Sequence, residues 1–133
     1  RLMHLGKESH WVWDDTTPSM GKGDLFICAC GSADVAHENT LCDNAKKTGA
    51  TLILITPSAK GHILEIADKV IRIPATAYKA VYNSEDEYVP TVQMMGNQFE
   101  QALLVFFDVI VMMISEEMGI SKEEMESRHR NIE

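Results

Sequence analysis

Asp24-Leu25-Phe26-Ile27-Cys28-Ala29-Cys30-Gly31-Ser32-Ala33-Asp34 is an apolar run of strand length that empties into a Gly-Ser bend. It is entered through Gly21-Lys22-Gly23 and followed by a helical stretch from about Val35 to Thr48, which Gly49 stops. The same grammar repeats downstream. Thr51-Leu52-Ile53-Leu54-Ile55-Thr56 ends at Pro57, a short helix follows near residues 62–67, and Lys69-Val70-Ile71-Arg72-Ile73 runs to Pro74. Strands that are continuously apolar, joined by helices, imply a parallel sheet covered on both faces. The expected class is α/β, a three-layer parallel sheet flanked by helices. His10-Trp11-Val12-Trp13 is a further strand candidate, backed by the turn-rich Asp14-Asp15-Thr16-Thr17-Pro18.

The chain has 133 residues, which suits a single domain over residues 1–133. Twelve Lys and Arg against 20 Asp and Glu give a formal charge of −8. That balance, without a basic cluster, argues against nucleic acid or an anionic membrane as partner, because both need a positive surface. An anionic small ligand must then be held by local dipoles and hydroxyls. At 45% hydrophobic and 24% charged the composition is that of an ordinary globular protein. Cys28, Cys30 and Cys42 make an odd set with no CxxC pair, and free thiols in a reducing cytoplasm are the simplest reading. The opening Arg1-Leu2-Met3-His4-Leu5-Gly6 is unlike a signal peptide and reads as the last turn of a helix closing on Gly6, with more chain expected before Arg1.

Residues 75–92 break the rhythm: Tyr78, Tyr82 and Tyr88 stand beside Glu85-Asp86-Glu87 with little apolar periodicity. Such a loop is either a solvated insertion or a functional segment. The run from Phe99 to Ile114 is apolar almost all round and is expected to be buried in a core or at a subunit interface. A membrane span is disfavoured, because residues 102–114 fall short of roughly 18–20 apolar residues and Asp108 interrupts them. Gly119 ends this helix, and Ser121-Lys122-Glu123-Glu124 resembles a capping box that starts a charged terminal helix.

Ligands of such sheets bind outside the carboxyl ends of the strands. The turn Cys30-Gly31-Ser32-Ala33-Asp34 lies there and offers backbone N–H groups, a hydroxyl and a helix N-terminus, the ingredients of a phosphate site. It is equally readable as a tight turn with Ser32 or Asp34 as N-cap. Thr56-Pro57-Ser58 is likewise either a turn or a ligand wall. Glu100, at the mouth of a largely apolar helix, either complements the helix dipole or is a partly desolvated base with a raised pKa. His129 sits in a polar tail that is either inert or reaches a neighbouring subunit. The other histidines show no metal-ligand spacing, and Cys28 and Cys30 are expected to pack as small hydrophobes, with Cys30 alone near enough to the strand end to meet a ligand.

These residues together resemble the sugar isomerase (SIS) domain and, within it, the later part of a 6-phospho-3-hexuloisomerase. The resemblance is carried by Arg1 to Gly6, Thr17-Pro18, Gly21-Lys22-Gly23-Asp24-Leu25, Gly31-Ser32, Ala45-Lys46-Lys47 through Gly49-Ala50, Ile66-Ala67-Asp68, Arg72-Ile73-Pro74, Met95-Gly96 with Phe99-Glu100-Gln101, and Arg128-His129 with Asn131-Ile132-Glu133. It implies a flavodoxin-like sheet of five parallel strands, a homo-oligomer, and no metal or organic cofactor. The implied reaction is an aldose–ketose type isomerisation of a phosphorylated sugar, between 3-hexulose 6-phosphate and fructose 6-phosphate through an enediol. By similarity Glu100 is the base, and His129 assists ring opening or polarises oxygen. Cys30, Gly31, Ser32, Asp34 and Val35 would hold the phosphate. Here that loop reads Cys30-Gly31-Ser32-Ala33-Asp34-Val35, where the family has Ser-Gly-Ser-Gly-Glu-Thr, and Asn97 and Gln98 stand where it has Thr and Leu. The altered loop leaves two functional expectations beside each other, a working isomerase and a non-catalytic SIS domain that binds a sugar phosphate. A purely structural oligomerisation module is the third.

Overall fold

Isoleucine and leucine fill the central run, and it pairs on both sides. The computed structural model describes residues 1–83 and 89–132, so Glu85, Asp86, Glu87 and Tyr88 of the long loop lie outside the described residues. Strands β1 (Leu25–Ala29), β2 (Thr51–Thr56) and β3 (Lys69–Arg72) form a parallel sheet in the order β1-β2-β3. Phe26 pairs with Leu52, Cys28 with Leu54, and Leu54 with Val70. Helices α1 (Ala36–Thr48) and α2 (His62–Ile66) make the two crossovers. Right-handed crossovers that step in one direction place their helices on one face of the sheet. The core obeys this: Cys28, Leu52 and Leu54 meet Cys42 of α1 and Ile63 of α2, with Cys30 and Ala33 closing the cluster. Leu25 and Ile27, on the opposite face of the β1 edge, are exposed.

Two ties hold this layer in register. Asp68 accepts the Leu52 N–H at 2.8 Å and the Lys46 ammonium at 2.5 Å, joining the end of α1 to the starts of β2 and β3. The Ile63 N–H donates to the Ala33 carbonyl at 3.0 Å, so α2 supports the turn that follows β1. Gly61, at φ 148°, makes this approach possible, since a Cβ there would lie 2.4 Å from the Ala33 oxygen.

The strand expected at His10-Trp11-Val12-Trp13 is absent. The Trp11 carbonyl instead accepts the Asp14 N–H at 2.9 Å and the Thr17 hydroxyl at 2.6 Å, which bends the segment, and both tryptophans are exposed. The sheet accordingly has three strands among the described residues where the resemblance implied five. The opening turn does close on Gly6: the Lys7 N–H reaches the Leu2 carbonyl at 3.1 Å and the Gly6 N–H reaches Met3 at 2.9 Å, the paired bonds of a helix terminus.

Helix α3 (Asn97–Met118) runs four residues past the apolar segment read from the sequence, to Gly119. Burial in a core is not what it shows. Leu104, Val105, Met112 and Met113 are 67%, 62%, 70% and 59% exposed, and among the described residues α3 is long and apolar enough to cross a membrane by length and composition. Helix α4 (Lys122–Ser127) starts as expected, with the Glu124 N–H on the Ser121 hydroxyl at 3.1 Å. The reciprocal half of a capping box is replaced, because the Glu124 carboxylate binds Arg128 at 2.5 Å. The chain groups into two compact units, one of Arg1–Pro18 with Leu103–Glu133 and one of Ser19–Ala102.

Candidate functional site

The bend after β1 begins when the Cys30 N–H donates to Ile55, the last ladder-like bond at 3.1 Å, and the Ala33 N–H turns back to the Cys30 carbonyl at 3.3 Å. Ala33 takes a left-handed φ of 55°, which places its carbonyl toward α2 and leaves Asp34 exposed. The Ser32 hydroxyl accepts the Asp34 N–H at 3.3 Å, so it shapes the turn rather than capping the helix. Val35 is the N-cap of α1, extended and without a side-chain cap bond. Neither Ser32 nor Asp34 therefore caps α1, and Asp34 instead accepts the Asn39 amide at 2.7 Å. The first N–H groups of α1, with the positive end of its dipole, open beside this turn.

Of the loop residues, Cys30 turns its thiol inward, into the core cluster, where burial pushes its pKa up. Only its backbone is left to face a ligand, which corrects the expectation of a thiol at the strand end. Cys28 and Cys42 share that core. Their mutual hydrogen bond, reinforced by burial, holds the Cys28 thiol well above the usual range, and the packing role expected of Cys28 and Cys30 is met.

The wall opposite the bend comes from residues 75–82 and the first turn of α3. A Cβ placed on Gly31 would lie 2.8 Å from the Ala77 methyl carbon and 3.6 Å from the Phe99 ring. Only a residue without a side chain fits between them. Phe99 is buried at this spot, and Glu100 follows it on the helix. The Glu100 carboxylate folds back over Gly96, with Oε1 3.3 Å from where a Gly96 Cβ would stand. Glu100 is exposed on this chain, where a partly desolvated base was one of the two expectations.

Thr56-Pro57-Ser58 resolves as a turn with structural hydroxyls. Thr56 Oγ1 donates to the Gly31 carbonyl at 3.4 Å and accepts the Ser58 N–H at 3.1 Å, both residues being fully buried. Ser58 Oγ donates to the Lys60 carbonyl at 2.8 Å and accepts the Val81 N–H at 2.9 Å, which stitches the loop to the end of β2. The Arg72 guanidinium donates to the Ser58 carbonyl and brings a positive charge to the carboxyl ends of the strands. Tyr82 accepts the Ala77 N–H at 2.8 Å and donates to the Ala75 carbonyl at 3.2 Å. Ser58 falls in the stretch read as a turn or a ligand wall and Tyr82 in the loop read as an insertion or a functional segment, whereas Arg72, Thr76 and Gln98 carry no site reading in the sequence. A polar residue following each strand was the sole available signal.

His129 belongs to the unit of Arg1–Pro18 and Leu103–Glu133, whereas the bend and Glu100 belong to the other. Its exposed ring lies 5.1 Å from that of His4, centroid to centroid, with Nδ1 3.0 Å from the Arg130 carbonyl. Arg128 fastens this tail by donating to the His4 carbonyl at 2.9 Å. The structure thus packs Phe99, the neighbour of Glu100 on α3, against Gly31 of the bend and sets His129 beside His4.

No family model matches the chain. The 3-hexulose-6-phosphate isomerase of Bacillus subtilis is 33% identical over 133 residues, covering 100% of this chain and 70% of that protein. The chain belongs to the 3-hexulose-6-phosphate isomerase family. The enzymes of that name from Mycobacterium gastri and Methanocaldococcus jannaschii are also 33% identical, with 64% and 66% of their lengths covered. The chain thus spans about two thirds of these isomerases. A crystal structure of a Methanococcus jannaschii protein, reported as inferring a 3-hexulose-6-phosphate isomerase function, superposes with a TM-score of 0.79 at 32% identity, over 99% of this chain and 67% of that one. A second solved structure, of a hypothetical protein, shares the fold at a TM-score of 0.82 and 24% identity, over 98% of this chain and 68% of its own.

Proposed function

We propose that this chain isomerises 3-hexulose 6-phosphate to fructose 6-phosphate, and that Glu100 is the base. The reaction moves a ketone from C3 to C2. A base must take the C2 proton, leave an enediol, and return a proton to C3. A carboxylate reaching the substrate edge-on suits both halves, and triosephosphate isomerase divides the same work between a glutamate and an imidazole. The observation that carries the reading is the contact of Phe99 and Ala77 with Gly31, which brings the Glu100 turn beside the bend.

The phosphate is assigned to the N–H groups of residues 31–35 and the start of α1, with Ser32 the one hydroxyl in that loop and Asp34 at its rim. A dianion gains there from the helix dipole in spite of the chain charge of −8. His129 of a neighbouring copy is assigned to ring opening or to polarising the substrate oxygen. The chain is further read as one SIS domain working in the cytoplasm, which its free thiols suit. A homo-oligomer is part of the proposal, with copies of this chain covering the exposed apolar residues of α3.

A coupled assay for fructose 6-phosphate tests the reading, with Glu100→Gln beside the wild type. One observation favours a purely binding role: Cys30 and Val35 supply no hydroxyl to the loop, so Ser32 alone donates one there. Under that reading fructose 6-phosphate raises the melting temperature while both proteins are equally inactive. Sedimentation tests the assembly, and a monomer at micromolar concentration would remove it.

A further inference from the structure

The segment between Pro74 and Tyr78 is held from two directions, and one of the two is a side chain of α3 itself. Gln98 Oε1 lies 2.7 Å from the Thr76 backbone nitrogen and 2.9 Å from Thr76 Oγ1. A backbone N–H is only a donor, so the atom facing it must be the amide oxygen, and both bonds run from Thr76 into that oxygen. From the other side, Tyr82 accepts the Ala77 N–H and donates to the Ala75 carbonyl. Ala77 is the residue whose methyl abuts Gly31, and the Tyr78 nitrogen lies 3.9 Å from the Gly96 Cβ position, over which the Glu100 carboxylate folds. The strip therefore touches the bend at one end and the Glu100 turn at the other.

We propose that Gln98 is a positioning residue, whose paired bonds to Thr76 fix the spacing between the Glu100 carboxylate and the Gly31-Ser32 bend. This rests on the isomerase reading above. A phosphate held at the bend and a proton removed near Glu100 leave the substrate little slack, and displacement by about 1 Å costs on the order of a hundredfold in rate. Gln98 does not need to touch substrate for this. It acts through the strip it holds and through the helix turn that carries Glu100.

The test uses Gln98→Met, which keeps the side-chain length and removes the amide acceptor, Gln98→Glu, which restores an acceptor, and Thr76→Val, which removes one of two donors. Wild type and Glu100→Gln are assayed in parallel on 3-hexulose 6-phosphate. The expected result is a kcat lower by about ten- to a hundredfold in Gln98→Met. KM stays within about threefold, Thr76→Val is intermediate, and Gln98→Glu recovers most of kcat. Retention of wild-type kcat in Gln98→Met, or a loss that tracks unfolding and is not recovered by Gln98→Glu, overturns the inference while leaving Glu100 in place. An inactive wild type, or a fully active Glu100→Gln, overturns the isomerase reading itself and this inference with it.

Discussion

Gly31→Ala is the sharpest perturbation of the site, because the added methyl has a known obstacle. Its Cβ would stand 2.8 Å from the Ala77 methyl carbon. Comfortable carbon–carbon contact begins at about 3.5 Å, so the strip or the bend must yield by about 0.7 Å or more. The strip is tied by Tyr82 and Gln98, and the bend by Thr56 and the α2 contact to Ala33, so neither yields freely. Overpacking of this kind costs about 1–3 kcal/mol. For a chain of this size that lowers the melting temperature by roughly 3–15 °C. Because the same displacement shifts Phe99 and the Glu100 turn, kcat/KM falls by about ten- to a hundredfold as well. Thermal unfolding and the coupled isomerase assay read the two effects. Gly21→Ala is the control, since a Cβ there meets nothing within 4 Å, and it should leave both unchanged. Equal melting of Gly31→Ala and wild type would refute the packing of the strip on the bend, and the wall of the site would go with it.

Val35→Thr places a hydroxyl at an extended N-cap that has no side-chain bond. The cap gain of about 1 kcal/mol and the loss of a half-buried methyl nearly cancel, so stability holds while KM for the sugar phosphate falls about tenfold. An unchanged KM would detach the α1 terminus from the phosphate. His62 has a hydrogen-bond partner in Asp43 at 2.9 Å, which raises its pKa above the ordinary 6.5. The resulting stabilisation is fully present below pH 6.5 and is lost as pH rises through the folded-state value. Proton NMR titration should place His62 above 6.5, and Asp43→Asn should bring it down; a value at or below 6.5 would contradict the pairing. The buried Cys28, Cys30 and Cys42 should resist dithionitrobenzoate in the native protein and give three equivalents after denaturation. Rapid native labelling of Cys30 would place its thiol outside the core.

Legibility in the sequence followed from how local each feature is. The β1, β2 and β3 runs and the two crossover helices were readable because apolar continuity and Gly and Pro punctuation are properties of short windows. Their bounds came within one or two residues. His10-Trp11-Val12-Trp13 misled because its composition is that of a strand, while a Thr17 hydroxyl and an Asp14 amide settle its backbone as a turn. The C-terminal end of α3 was readable from Gly119, although Ser115, Glu116 and Glu117 before it are polar and lie outside the apolar run. Its exposure was unreadable, since apolar composition says that a helix needs cover and not what provides it. The bend and Glu100 were each visible, the first from a strand-to-helix junction and the second from a carboxylate on an apolar helix. The packing of α3 on the bend was not, because it depends on Ala77 and Phe99 converging on Gly31 from far along the chain. The Thr76–Gln98 and Tyr82–Ala77 bonds that hold this arrangement join a loop without periodicity to a helix, and no pattern announces them.

Proton transfer by Glu100 is tested most directly by following 3-hexulose 6-phosphate in D2O by NMR with wild type and with Glu100→Gln. Wild type should form fructose 6-phosphate with deuterium entering its carbon skeleton. Glu100→Gln should be slower by about a hundred- to ten-thousandfold, the range for a lost general base. Isomerisation by Glu100→Gln at the wild-type rate would contradict the assignment.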